Sequence, residues 1–250
     1  MSILSHRFGC CLVVGLAAVC LLGVTDGSAM AGGVQAQPAQ ARIQATQQLA
    51  VLSTAHGVRQ EPEAGAPQTG LLPTRGPITG EPTTVPVIGA LTGSDGVQWL
   101  RVMLPGRPNG STGWIVQQGT SETTTNWHLV VDLAARRVLL YSAGHVVRTF
   151  QAVVGKPSTP TPTGEFFVQE TLQMEPGEAG GPFALALSAR SNVLQEFEGG
   201  PGQIAIHGRD NLGGTLGAAE SHGCIRLATA SIEWLAARIG PGTPVKIYQG

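Results

Sequence analysis

Hydrophobic and polar positions along this chain alternate in short runs, and only one stretch carries helical spacing. Alternating runs predict strands at Thr83 to Leu91, Val97 to Leu104 and Gly113 to Val116. The turns between them are Gly93-Ser94-Asp95-Gly96 and Pro105-Gly106-Arg107-Pro108-Asn109-Gly110. Turn-rich stretches, Glu61 to Pro67 and Leu72 to Gly80, come before. This spacing predicts a small β-barrel or sandwich over residues 54–120. From Trp127 the runs lengthen. Trp127 to Leu133 and Arg137 to Ser142 predict a hairpin turning at Ala134-Ala135, followed by a strand over His145 to Gly155. After the rigid turn Pro160 to Gly164, Glu165 to Glu170 is another strand, and Gln203 to His207 and Pro244 to Tyr248 are short ones. Glu175 to Pro182 is expected to be an exposed, flexible loop over a site. Ile232, Leu235, Ala236 and Ile239 stand at i, i+3, i+4 and i+7. They predict a helix over Ser231 to Ile239, with Ser231 as N-cap and Gly240 as its stop. The expected fold class is mainly β, with one clear helix near the C-terminus.

The first residues follow a different pattern. Arg7 precedes an apolar run, Cys10 to Val24, and Ala29-Met30-Ala31 follows. These are the three parts of a secretory signal, which predicts export to the cell envelope and cleavage after Ala31. The run is shorter than the ~20 residues that span a bilayer; a retained anchor is the alternative. Residues 32–53 are rich in Ala and Gln and poor in large apolar side chains, so a linker is expected there, transiently helical around Arg42 to Leu52. Residues 121–126 are a polar connector ahead of a second domain at 127–249.

Composition narrows the function classes. The 15 Lys+Arg against 16 Asp+Glu leave no basic excess, which argues against a nucleic-acid partner. Of the four cysteines, Cys10, Cys11 and Cys20 lie in the signal segment. The mature chain therefore holds Cys224 alone and forms no intrachain disulfide.

That cysteine has suggestive neighbours. Ile204 to Leu227 contains His207 at a strand end, a glycine-rich loop, then Ser221-His222-Gly223-Cys224. A thiol with an ordinary pKa of ~8.5 is a better nucleophile when an imidazole takes its proton. A strand end and a returning loop can bring His207 to Cys224. Gly208 and Gly223 allow close backbone approach, and the N–H groups of Gly223 and Cys224 are candidate oxyanion donors. Three other readings compete. Zinc would find His207, His222 and Cys224 but no fourth ligand. A buried structural cysteine is common. A papain-like protease has its cysteine before the histidine, the reverse of the order here.

The block resembles the L,D-transpeptidase catalytic domain of the YkuD-like family. That family's signature is a His, a spacer, then Ser/Thr-His-Gly-Cys followed by an apolar residue and Arg or Asn. Here it is His207, thirteen intervening residues, Ser221 to Cys224, and Ile225-Arg226. The segments Val153 to Lys156 (VVGK), Thr161 to Phe166 (TPTGEF), Ile204 to Gly208 (IAIHG) and Gly242 to Tyr248 (GTPVKIY) also match. Upstream, Gly96 to Ile115 resembles the bacterial SH3-like modules that accompany cell-wall enzymes. The resemblance implies an L,D-transpeptidase domain preceded by a small SH3-like β-barrel. It implies Cys224 as nucleophile and His207 as base and acid, its ring oriented by the Gly208 carbonyl. His222 and Gly223 would shape the oxyanion and donor pocket, Ser221 would support the loop, and Arg226 would meet a substrate carboxylate. Arg209 and Asp210 are expected on the loop surface, and His56, His128 and His145 at the surface or half-buried. Peptidoglycan stem peptides are the implied substrate and carbapenem-type β-lactams the implied inhibitors, with no metal or cofactor and a monomeric state. An L,D-carboxypeptidase, a protein-to-wall transferase and an inactive wall-binding protein are the alternatives.

Overall fold

The computed structural model describes residues 43–197 and 199–250. The expected signal segment and the first part of the expected linker lie outside the described residues. Seven strands come first: β1 (Gln47–Leu52), β2 (His56–Arg59), β3 (Gln68–Leu72), β4 (Thr84–Thr92), β5 (Gln98–Met103), β6 (Thr112–Val116) and β7 (Thr120–Thr125). They form one sheet in the order β3-β2-β6-β5-β4-β1-β7, with β3 and β7 at its two edges. Its core holds Ala50, Leu52, Val85, Val87, Leu100, Val102 and Ile115.

Two expectations are corrected here. Gln47–Leu52 is neither linker nor helix but a strand paired with β4 on one side and β7 on the other. Its Leu49, Ala50 and Leu52 are buried, so three apolar residues in a polar stretch suffice once neighbours cover them. The polar connector is largely β7, an edge strand whose Ser121, Glu122, Thr123 and Thr124 face solvent while their backbone pairs with β1.

The second sheet is built from β8 (Trp127–Asp132), β9 (Arg137–Ser142), β10 (His145–Gln151), β12 (Gly164–Gln173), β13 (Phe183–Arg190), β14 (Gln203–His207), β16 (Ile225–Arg226) and β17 (Pro244–Tyr248). Its order is β10-β9-β8-β17-β12-β13-β14-β16. A separate parallel pair joins β11 (Val154–Gly155) to β15 (Ala219–Ser221). Helix α1 (Thr229–Ala236) sends Ile232 and Leu235 into the core beside Leu185, Leu187 and Ile206. The helix begins two residues before the expected Ser231, after Ala228, with no side-chain cap. The ladder decides this: the Leu227 N–H donates to the His207 carbonyl, so the chain turns into the helix directly after β16. Strand β13 escaped the sequence pattern because both its faces are buried and no alternation marks it.

Strand β12 belongs to both halves. Phe166 faces the second core and Phe167 the first, as the period of two along a strand requires. Polar contacts reinforce this seam. Glu170, 1% exposed, accepts through Oε2 from the N–H groups of Ile78 (3.0 Å) and Thr79 (2.7 Å) and from the Thr79 hydroxyl (2.9 Å). The Pro105 to Gly110 turn grips the segment after β13. Arg107 donates to the carbonyls of Ser191 (2.8 Å), Pro201 (2.9 Å) and Leu194 (3.1 Å), and Asn109 pairs with the backbone of Arg190.

His128 also lies at the seam, in a cavity of about 240 Å³ lined in part by Gln47, Met103, Trp127, Glu165 and Lys246. Its Nε2 is buried without a hydrogen-bond partner. Burial is the main cause that pushes its imidazole down to about 4; Glu165 opposes and Lys246 adds to the shift. Below pH 6.5 the unfolded chain therefore takes a proton that the folded chain refuses until about pH 4. Stability is lost as the pH falls through that window, by about 3 kcal/mol from this residue. Urea titrations from pH 7 to 4 should show this loss, and His128→Phe should reduce the slope by close to one proton; an unchanged slope would exclude His128 as its source.

Candidate active site

The site is assembled where β14 meets β16. These strands run parallel, with Ile206 opposite Ile225 and His207 opposite Arg226. Both isoleucines are fully buried in the core, so alternation sends His207 and Arg226 to the other face. Cys224 directly precedes β16, two residues before Arg226, and the same alternation carries its side chain to the His207 face. Cys224 is half-buried, and its thiol approaches the carbonyl of Gln203, at the start of β14, at 3.9 Å.

His207 is held at one nitrogen. Its Nδ1 lies 2.8 Å from the Gly208 carbonyl. A carbonyl only accepts, so Nδ1 carries the proton and Nε2 presents its lone pair. Burial pushes the imidazole below its ordinary value of 6.5; backbone hydrogen bonds to Gly208 and Gly180 oppose, and the Arg226 charge lowers it further. Part of that burial comes from the loop after β12. Expected to be flexible, this loop is tied down: the Gly180 N–H donates to the Asp210 carbonyl (2.7 Å) and the Asn211 amide to the Gly177 carbonyl (2.6 Å). A Cβ on Gly180 would sit 2.8 Å from His207 Nδ1, and one on Gly208 would collide with the Gly181 carbonyl. Glycine at both positions lets the loop close on the ring.

The Ser221 to Cys224 turn is built from hydroxyls. Ser221, wholly buried, accepts from the Gly223 N–H (3.1 Å) and donates to the Cys224 carbonyl (2.6 Å). Thr161 accepts from the Gly155 N–H (2.9 Å) and donates to the Gly223 carbonyl (2.8 Å), and Thr159 donates to the Ser221 carbonyl (3.3 Å). Gly223 has φ +124°, a conformation that favours glycine. The β11–β15 pair sets the other end of the turn.

Several expected roles change. The Gly223 N–H is taken by Ser221, so it is not an oxyanion donor in this conformation. Arg226 donates through Nη1 to the Gly213 carbonyl (2.8 Å), and its Nε is buried without a partner. This contact braces the glycine-rich loop. Arg209, expected at the surface, buries its Nε, and Asp210 accepts from the Thr229 hydroxyl (2.7 Å). His56 is 2% exposed, with its two ring nitrogens at the carbonyls of Thr54 and Gln118. The two imidazoles of the motif have separate surroundings. His222 is exposed, stacked on Phe197 with ring centroids 5.7 Å apart, and its Nε2 lies 3.3 Å from Lys156 Nζ. Among the described residues no three His, Cys, Asp or Glu side chains come together as a metal-binding group. Lys156, Thr161 and Phe197 were not singled out as site residues from the sequence. The VVGK and TPTGEF matches were the available signal for the first two, and Phe197 left none.

The ladder thus brings Cys224 and His207 to one end of the sheet, with a hydroxyl-braced turn between Ser221 and Cys224. The family model described as YkuD, the L,D-transpeptidase catalytic domain, matches residues 126–247. A Bacillus subtilis protein named as the L,D-transpeptidase YkuD is 33% identical over 124 residues, which cover 50% of this chain and 67% of that one. L,D-transpeptidase 1 of Mycobacterium tuberculosis is 29% identical over 126 residues, 47% of this chain and 49% of its own. Among solved structures, an Enterococcus faecium L,D-transpeptidase mutant is similar at 23% identity, over 49% of each chain, with a TM-score of 0.38. This chain thus spans about half the length of the last two proteins. The chain belongs to the YkuD family, and residues 126–247 place it in the L,D-transpeptidase class of enzymes.

Removing the Ser221 hydroxyl isolates the turn's contribution. Ser221→Ala leaves the Gly223 N–H and a Cys224 carbonyl contact unmet in a buried place, which should cost about 1–3 kcal/mol. Thermal denaturation should show this together with slower alkylation of Cys224. Wild-type stability and alkylation rate would exclude Ser221 as the brace of the nucleophile.

Proposed function

We propose that this chain is an exported cysteine acyltransferase that cross-links peptidoglycan stem peptides by 3→3 L,D-transpeptidation. The observation that carries this reading is the β14–β16 register together with the Gly208 contact. It offers a thiol and an imidazole on one face, with the imidazole's free lone pair at Nε2. Membership of the YkuD family supports the choice of substrate. The signal-like N-terminus fits a substrate outside the membrane, and the N-terminal sheet is taken as an SH3-like module that holds the catalytic domain relative to the wall.

His207 Nε2 takes the Cys224 thiol proton, and the thiolate attacks the carbonyl carbon of the diamino acid at the third stem position. The C–N bond to the terminal D-alanine breaks, and the imidazolium returns its proton to the leaving amine. A thioester remains. The side-chain amine of a second stem, losing its proton to His207, attacks the thioester, and the departing thiolate is reprotonated. A lowered basicity serves both halves, because His207 is neutral before the reaction and a stronger acid once protonated. A carbapenem carries a strained amide, and its ring opens on the same thiolate to leave a stable thioester.

Muropeptide mass spectrometry should find 3→3 dimers with the wild type and none with Cys224→Ala; dimers from the alanine variant would overturn the assignment. The pH dependence of carbapenem acylation tests the base. Burial holds His207 below 6.5, so the rate should be sustained at pH 6.5 and fall only at lower pH, and His207→Ala should remove the limb. A limb above pH 6.5 that survives His207→Ala would assign proton removal to another group.

A further inference from the structure

The mature sequence has two lysines, Lys156 and Lys246, and their surroundings differ. Lys246 is paired with Glu165 at 2.7 Å. Lys156 has no carboxylate within ion-pair distance among the described residues. Its backbone is fixed on the catalytic turn: the Lys156 N–H donates to the Ser221 carbonyl (3.0 Å), and the Lys156 carbonyl accepts from the Thr159 N–H (2.9 Å). The side chain reaches His222, with Nζ 3.3 Å from Nε2.

An ammonium has three donors and no acceptor. One of them meets the imidazole of His222, whose Nε2 must then supply a lone pair while Nδ1 carries the proton. The ammonium's other two donors point to no acceptor among the described residues, which suits an anionic ligand. On the far side of His222, Phe197 stacks at an interplanar angle of 28° and remains 41% exposed. A cation, an imidazole and an exposed aromatic ring thus stand on the turn that ends at Cys224. Of the other cations of the motif region, Arg226 donates to the Gly213 carbonyl, and Arg209 has its Nε buried.

We propose that Lys156 and His222 form a carboxylate-binding subsite for the acyl donor, with Phe197 as its apolar wall. This rests on the acyl-transfer reading and goes beyond it by naming the residues that select an anionic donor. A stem tetrapeptide offers several carboxylates, among them one on the terminal D-alanine and one on the diamino acid. A lysine acts as a point charge with rotatable donors and suits either.

Two sets of reactions test the subsite on the full chain. In the first, Cys224 is alkylated with iodoacetate or with the neutral iodoacetamide, followed by intact-mass spectrometry. Lys156→Met should lower the iodoacetate-to-iodoacetamide rate ratio about tenfold, as expected for loss of one charged hydrogen bond, and Lys156→Arg should retain most of it. In the second, KM and kcat are compared for tetrapeptide donors amidated at each carboxylate in turn. Lys156→Met should raise KM more than it lowers kcat, and the amidation that abolishes this difference identifies the carboxylate. An alkylation ratio unchanged by Lys156→Met, or a variant that slows the acidic and every amidated donor equally, overturns the subsite. If the wild type turns over no stem donor, the acyl-transfer reading fails, while the alkylation ratio still decides for or against the anion site.

Discussion

The placement of Phe166 and Phe167 on opposite faces of β12 is the constraint on which the rest of this molecule depends. Side chains along a strand alternate, so two adjacent aromatic residues cannot enter one core. Here each enters a different one, and both are about 1% exposed. A one-residue slip of β12 against β17, where Phe166 faces Val245, would exchange the two faces and empty both cores. The register of β12 also fixes Glu170, three residues on from Phe167, whose buried carboxylate collects two backbone donors and one hydroxyl of the first sheet. Leaving those donors unpaired would cost more than the contact itself contributes. The N-terminal sheet is therefore a wall of the catalytic domain. Its 105–110 turn holds the backbone between β13 and β14 through Arg107 and Asn109, in the same segment that presents Phe197 to His222.

The catalytic turn solves a problem of buried polar groups. A chain that brings a cysteine to a strand end exposes backbone N–H and C=O groups that cannot pair in a ladder. Ser221, Thr159 and Thr161 supply the missing partners with three short hydroxyls, each accepting or donating at a fixed backbone atom. Rigid side chains of this kind lose little entropy when held, so the turn is defined before any substrate arrives. This also explains why the Gly223 amide is not spare. Its hydrogen bond to Ser221 keeps the turn closed.

Much of this was legible in the sequence, for identifiable reasons. Gln203–His207 has the observed bounds because buried Ile204 and Ile206 alternate with half-buried neighbours, and Pro244–Tyr248 because a short, largely apolar run follows the Gly240 to Gly242 turn. The His207 and Ser221 to Cys224 spacing pointed to the site because chemistry-bearing side chains are rare in this chain. The failures share a cause: the deciding partner lies far away in sequence. Nothing local in Gln47–Leu52 signals a strand, whose pairing is supplied by residues 84–86 and 120–125. Arg226 looked like a substrate cation, but its guanidinium finds the Gly213 carbonyl, thirteen residues back. Lys156 looked like part of a motif, and only the β11–β15 pairing brings it to the catalytic turn.

The surroundings of His207 set two demands against each other. A base that accepts a thiol proton is helped by contacts that favour the imidazolium, and the Gly208 carbonyl at Nδ1 does this. In the proposed reaction, protonating the leaving amine is helped by contacts that disfavour the imidazolium, and burial and the charge on Arg226 do this. Burial is the larger effect, so the balance falls on the acid side. The fixed Nδ1 proton makes that balance usable, because it directs every proton exchange to Nε2, on the face shared with Cys224. If a histidine with both nitrogens open to solvent stood in that place, its tautomers would compete and one of them would present an N–H to the thiol. The carbonyl of Gly208 removes that ambiguity, and glycine at that position lets the loop pack close enough to bury the ring.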